Sequence, residues 1–475
     1  MNYTNNAVLI RRELINRICK LLTDGELVEK VDRIPVEMRP KNYEEPSRCC
    51  VYKDRAMIKY KLMALLGFSI SEEKDELTTL ADYARTAMMR PEVERKVLTI
   101  VREVCTSCVP SSYMITNLCR GCVGRPCMLN CSKNAISFRH GQAEIDHTLC
   151  VNCGLCKKVC PFHAIIYVPV PCKEACPVNA ITRDEQGRTN IDYSKCIYCG
   201  KCMTGCPFGA IMGKSQIIDI YKALNSGKNI YAIVAPAIMG QYKTSYANIL
   251  GAIKQLGFTG VAEAAQGADI TIEHEAHELK ERMENEEPFM TTSCCPAYVK
   301  LVEKHIPELQ PYVSKAHSPM HYTAEYLKKE DPDCITVFIG PCVAKRYESR
   351  YDEFVDYMMN FEELDAFLTA KEININSAEK VEWNTNVTNA GRGFAVSGGV
   401  VNALKKFVNG SIEITDLKVD GLNADNIKLL KSYTKGHCDG NFVEVMSCEG
   451  GCVAGPGTIN NPKTAARVIK DFCAK

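Results

Sequence analysis

Cysteine thiolates two or three residues apart can wrap an inorganic cluster, and that spacing occurs twice here, in CVNCGLCKKVCP (150–161) and CIYCGKCMTGCP (196–207). Both fit C-x2-C-x2-C-x3-C-P, the bacterial ferredoxin pattern, in which three close thiolates hold one [4Fe–4S] cubane and the fourth serves a companion cluster. Zinc sites rarely need a third cysteine two residues on, so zinc is the weaker reading. The segment also repeats: CSKNAI (131–136), CPFHAI (160–165), CPVNAI (176–181) and CPFGAI (206–211) share a C-x3-A-I ending. Cys131 to Cys176 is 45 residues and Cys160 to Cys206 is 46, which marks a duplicated two-cluster module.

Crossing the fourth ligands assigns one cluster to Cys119, Cys122, Cys127 and Cys160, and a second to Cys150, Cys153, Cys156 and Cys131. The second copy gives a third cluster on Cys196, Cys199, Cys202 and Cys176. Cys172 and Cys206 are then two ligands short, because Ala164 and Tyr167 stand where a pair is needed. CTSC upstream offers Cys105 and Cys108, the missing pair displaced along the chain. A fourth cluster on Cys105, Cys108, Cys172 and Cys206 uses every cysteine of the region; the alternative is a lost site with a leftover structural CxxC. Several clusters in a row move single electrons between a surface and a buried site.

A second cysteine set lies beyond residue 215, where β-rich runs alternate with amphipathic helical stretches in an α/β pattern. NIYAIVAPAI (229–238), CITVFIGPC (334–342) and NFVEVMSC (441–448) read as strands, and the stretch 414–433 contains a helix. The adjacent pair Cys294 and Cys295, then Cys342 and Cys448, each fall where an apolar run ends, and Cys452 follows in CEGGC. Ligands gather beyond the carboxyl ends of strands in open α/β sheets, so convergence is expected there. TIEHEAHELKERM (271–283) reads as a helix with Glu275, Glu278 and Arg282 on one face, which alone would be a solvated charged face.

The elements that must position these groups come from a chain of 475 residues, enough for several domains. It is 46% hydrophobic and 24% charged with a formal net charge of +1, which speaks against a large nucleic-acid-binding surface. No run of ~18 apolar residues predicts a membrane span. The start lacks the order of a signal peptide, and 27 cysteines in a reducing compartment mean metal or redox chemistry, so the expected location is cytoplasmic. Residues 1–100 are expected to be mainly helical, notably over 54–68 and 74–101. Cys49 and Cys50 are expected to be buried and structural, with a metal or redox role as the alternative, and Cys19, Cys334, Cys438 and Cys473 to be packing residues.

TSCCPAY (292–298), GPCVAKRYE (340–348) and EVMSCEGGC (444–452), behind ferredoxin repeats, resemble the three signature segments of [FeFe]-hydrogenases. The resemblance spans the ferredoxin region and 225–475. It implies an α+β multidomain chain: a helical N-terminal region (1–100), duplicated ferredoxin-like modules (101–215) and a two-lobed α/β catalytic domain (225–475). It implies an H-cluster, a [4Fe–4S] cubane joined to a two-iron subsite with CO, CN⁻ and azadithiolate, at which 2H⁺ + 2e⁻ ⇌ H₂ runs reversibly. Cys295, Cys342, Cys448 and Cys452 would hold the cubane, with Cys452 bridging to the two-iron subsite. Cys294 would bind no metal and pass protons, through Glu275, Ser314, Glu278 and Arg282. Lys345 matches a lysine that donates to a cyanide, Pro236 lies in a matching turn, and Met446 matches a methionine near the bridging ligands.

The sequence departs from the better-known members at Gly340 (methionine there), Ala237 (serine), Met320 (glutamine or similar), Tyr298 (tryptophan) and CVAGPG (a GGGQP tail), which is similar to the branch called group B. These changes are expected to tune potential and gas access rather than abolish the metal site. No flavin or dinucleotide fingerprint is present, so electrons are expected from a ferredoxin-type carrier or redox partner subunit, by way of the Cys196 cluster. The family relation also implies maturation proteins for the two-iron subsite. Two alternatives stay open: a hydrogen-sensing regulatory protein on the same scaffold, against which Cys294 argues, and a non-catalytic iron–sulfur assembly scaffold.

Overall fold

The computed structural model describes residues 5–73, 75–91, 95–105, 108, 112–184, 188–381 and 386–474. The N-terminal helices form where the sequence caps them and spaces its apolar side chains. Asn5 accepts from the Val8 amide to start Asn6–Thr23, whose Leu14, Ile15, Ile18 and Leu22 are buried on one face. Val51–Leu65 and Leu80–Met89 pack nearby, and Thr79 and Asp82 close the latter's start as a capping box. The expected single helical stretch over 74–101 is corrected. The helix stops at Met89 because Arg90 precedes Pro91, residues 92–94 lie outside the described set, and Leu98–Ile100 is a strand.

The cysteine-rich region is built from short antiparallel pairs. Ile136–Arg139 pairs with Gln142–Ile145, Ile181–Arg183 with Thr189–Ile191, Ser112–Ile115 with Ile165–Val168, and Leu98–Ile100 with Ile211–Gly213. Strands this short carry little stability of their own in water.

Beyond these pairs stand two parallel sheets. One runs Gly260–Glu263, Ile230–Val234, Ile335–Ile339, Tyr357–Met359; the other runs Met290–Thr291, Phe442–Met446, Asp416–Asp420. Phe442–Met446 is buried at every residue, as a strand covered on both faces must be. The run 229–238, expected as a continuous strand, ends at Val234, and Pro236 opens a 3-10 turn, Pro236–Gly240. Cys342 follows Ile335–Ile339, Cys294 and Cys295 follow Met290–Thr291, and Cys448 follows Phe442–Met446. The two sheets thus present their carboxyl ends, and these four cysteines, to one hollow. Among the described residues no helix is long and apolar enough to cross a membrane.

Candidate metal centre

A cavity of about 100 Å³ is walled by Cys294, Cys295, Cys342, Cys448 and Cys452 together. Pro236, Ala237, Met320 and Met446, expected around the site, also face it, and the rest of its lining is mostly apolar. The thiols feel one another. Burial first, then Cys295, pushes Cys342 up to about 12, and burial followed by Cys342 and Cys295 does the same to Cys452. Cys452 is exposed, and it lines the cavity.

Four thiols spread around an apolar hollow fit a thiolate-bound cluster, because such thiols are costly to ionise until a cation shares their charge. Among the described residues no three His, Cys, Asp or Glu side chains are grouped so as to hold a single metal ion. Ser447 Oγ, buried in the cavity wall without a hydrogen-bond partner, is a further polar group toward which a ligand fits. Lys345 Nζ also faces the cavity and forms a 2.8 Å ion pair with Glu348, with an alignment that leaves neither atom in a proper hydrogen bond. Burial opposes its charge, but Glu348 and the thiols of Cys342 and Cys294 outweigh burial and hold the ammonium above its usual pKa.

Behind Cys294 stands the long helix Ala264–Glu284. Glu275 is fully buried; it accepts from the Ser293 amide at 3.3 Å, and its other oxygen is in no hydrogen bond. Burial pushes its carboxyl up to about 8, with Ser314 near enough to ease its charge. Ser314 Oγ donates to Glu278 Oε2 at 3.0 Å, and Arg282 Nη2 donates to Glu278 Oε1 at 2.8 Å. Arg282 Nη1 reaches Glu287 at 2.7 Å, a carboxylate 41% exposed. Ser314, Glu278, Arg282 and Glu287 are thus hydrogen-bonded in series out to solvent. His274 and His277 stay on the exposed face of this helix, as expected.

The accessory cysteines fall into the expected groups. Cys119, Cys122, Cys127 and Cys160 line one hollow, and Cys131, Cys150, Cys153 and Cys156 line another. Cys196, Cys199, Cys202 and Cys176 neighbour one another, and Cys199 also lines the large cavity beside Cys448. Cys105, Cys108 and Cys206 all surround Cys172. Cys49 is exposed and Cys50 half-buried, which corrects the buried reading; that pair lies at the start of Val51–Leu65, where the chain is still open to solvent. Cys19 and Cys334 are buried packing residues, while Cys438 and Cys473 are half-buried.

Sequence reasoning missed Glu348, Glu287 and Phe338. The first two carried a signal in their spacing, three residues from Lys345 and five from Arg282; Phe338, inside an apolar strand, carried none.

Fold and site together define an iron–sulfur protein with a thiol-walled interior cavity. Residues 228–456 match the family described as iron only hydrogenase large subunit, C-terminal domain, and residues 143–166 and 189–212 match the 4Fe-4S binding domain. The region 228–456 thus resembles the iron-only hydrogenase family, at low identity to the relatives that follow. Iron hydrogenase 1 of Clostridium pasteurianum is 30% identical over 54% of this chain and 54% of its own length. The periplasmic [Fe] hydrogenase large subunit of Nitratidesulfovibrio vulgaris is 28% identical over 66% of this chain and 85% of its own. The chain thus spans about half of the first relative and most of the second. The cytosolic Fe-S cluster assembly factor NAR1 of Kluyveromyces lactis is 26% identical over 42% of this chain and 58% of its own. The solved [FeFe]-hydrogenase HydA1 of Chlamydomonas reinhardtii aligns at a TM-score of 0.45 with 22% identity, covering 53% of this chain and 88% of that one.

Proposed function

We propose that this chain is an [FeFe]-hydrogenase catalysing 2H⁺ + 2e⁻ ⇌ H₂, with electrons relayed through [4Fe–4S] clusters to a ferredoxin-type carrier or partner subunit. Cys295, Cys342, Cys448 and Cys452 would hold the H-cluster cubane, and Cys452 would be shared with the two-iron subsite. When bound, that group supplies the iron chemistry at which H₂ is made or split heterolytically. The chain's own residues supply the rest. Met446, Pro236 and the apolar wall exclude water, and the Lys345 ammonium offers a donor to an anionic ligand. Cys294 hands a proton to Glu275, which is poised near neutrality by burial, and Ser314, Glu278 and Arg282 carry it to the surface. Cys199 sits in both the third accessory set and the cavity wall, so electrons enter there.

One adjacency supports the reading above all: Cys294 shares the cavity with the four thiols, and Glu275 lies directly behind it. Infrared spectroscopy of the matured protein, with H₂ evolution from a reduced low-potential donor, tests it. CO and cyanide bands with turnover are expected; bands without turnover would favour the hydrogen sensor. The relation to NAR1 proteins favours a second reading, an iron–sulfur assembly scaffold, and protein matured alongside a working hydrogenase yet lacking those bands would establish it.

A further inference from the structure

The two ferredoxin-like modules have matching parts, and the match runs through the backbone. In one, Ser112–Ile115 pairs with Ile165–Val168, and the next residue, Thr116, donates its amide to the Ala164 carbonyl at 2.8 Å. In the other, Leu98–Ile100 pairs with Ile211–Gly213, and the next residue, Val101, donates its amide to the Ala210 carbonyl at 2.8 Å. Short helices Pro126–Leu129 and Pro171–Glu174 each open on proline followed by a cysteine, Cys127 and Cys172. The turns agree as well: the Asp146 amide bonds the Ala135 carbonyl, and the Asp192 amide bonds the Ala180 carbonyl, both at 2.8 Å.

The alignment locates Cys105 and Cys108. Cys119 and Cys122 stand three and six residues past Thr116, while Cys105 and Cys108 stand four and seven past Val101. The pair is therefore not displaced. It sits where its module needs it, and the other module, from Ser112 to Val168, is inserted between the second and third cysteines of the set.

We propose that Cys105, Cys108, Cys172 and Cys206 hold a fourth accessory [4Fe–4S] cluster, in a ferredoxin module interrupted by its own duplicate. Cys206 is set as a ligand is set elsewhere. Its sulfur accepts from the Ala210 amide at 3.4 Å, as Cys131 does from Ala135 at 3.4 Å and Cys176 from Ala180 at 3.2 Å. The first pair is held within its own module: Cys105 Sγ meets Thr189 Oγ1 at 2.9 Å, and Arg183 donates to the Cys108 carbonyl at 2.9 Å. Cys172 and Cys206 are buried, and the N-terminal helices cover the spot, with Ala7 and Lys61 against Gly209 and Arg48 over the Phe208 ring. Cys202 of the third set neighbours Cys172, so the fourth cluster adjoins the one at the cavity wall. The helical region thereby insulates an electron relay from solvent.

The proposal rests on the ferredoxin reading and not on the hydrogenase reading, so its test leaves out the two-iron subsite. Full-length protein and its Cys105→Ser/Cys108→Ser variant are loaded anaerobically with ferrous iron and sulfide, and iron and zinc are counted per chain. The original sequence should hold about sixteen irons in its four accessory cubanes, beside any bound at the large cavity, and the variant about four fewer in total. Equal iron in both proteins, or loss of one zinc with no loss of iron, overturns the proposal. Should the variant fail to fold, alkylation of the unmodified protein decides: loading should protect Cys105 and Cys108 as fully as Cys196, and continued labelling of that pair in loaded protein overturns the site.

Discussion

Ser314 Oγ donates to Glu278 Oε2 at 3.0 Å, so a buried hydroxyl holds a half-buried carboxylate. Arg282 donates to the other Glu278 oxygen, and in the proposed proton route Ser314 would pass the proton between Glu275 and Glu278. Ser314→Ala removes a hydroxyl without changing the backbone. Turnover is expected to fall about tenfold or more while iron content stays constant. Unchanged H₂ evolution in that variant would show that protons leave by another route.

Cys294 gives a sharper case. It lines the cavity, and burial followed by Glu275 drives its thiol well above the ordinary value, so it rests as a protonated donor that is readily reprotonated once it has given its proton up. Cys294→Ala should keep the full iron count and the infrared bands yet lose about a hundredfold in turnover. Loss of the clusters together with activity would instead make Cys294 a ligand.

The parts legible in the sequence were those whose signal is local. Ferredoxin spacing marks its thiols within a dozen residues, and the three hydrogenase-type segments mark the strand ends from which Cys295, Cys342 and Cys448 meet. The carboxylate face of Ala264–Glu284 was readable from helical spacing, but that Glu275 is fully buried was not, because burial depends on what packs over a helix. The place of Cys105 and Cys108 was also illegible, since it depends on Leu98–Ile100 pairing with Ile211–Gly213, more than a hundred residues away. Pairing at such range leaves no periodicity to read.

Glu275 predicts a pH dependence of stability. Its folded pKa of about 8 lies above the ordinary 4.5, so the folded chain holds a proton that the unfolded chain has lost between those values. Its contribution is complete below about pH 4.5 and is lost as pH rises toward 8. Glu275→Gln stays neutral and lacks that slope. In denaturant titrations the variant should therefore gain on the original protein steadily from pH 5 to pH 8; parallel curves would mean that Glu275 is ionised in the fold.

Gly340, where better-known members carry methionine, tests how this chain closes its cavity. A Cβ at 340 would lie 2.5 Å from Phe338 Cε1 and 2.8 Å from its Cζ, so the Phe338 ring already fills that space, and Phe338 lines the cavity. Gly340→Met should overpack the wall and cost about 1–3 kcal/mol. Phe338→Ala alone should cost about 3–5 kcal/mol through the void it leaves. If the two side chains compete for one volume, the double variant is more stable than the sum of the single losses predicts. Additive losses in chemical denaturation would mean that the ring and residue 340 act independently, and that the cavity wall is closed by other groups.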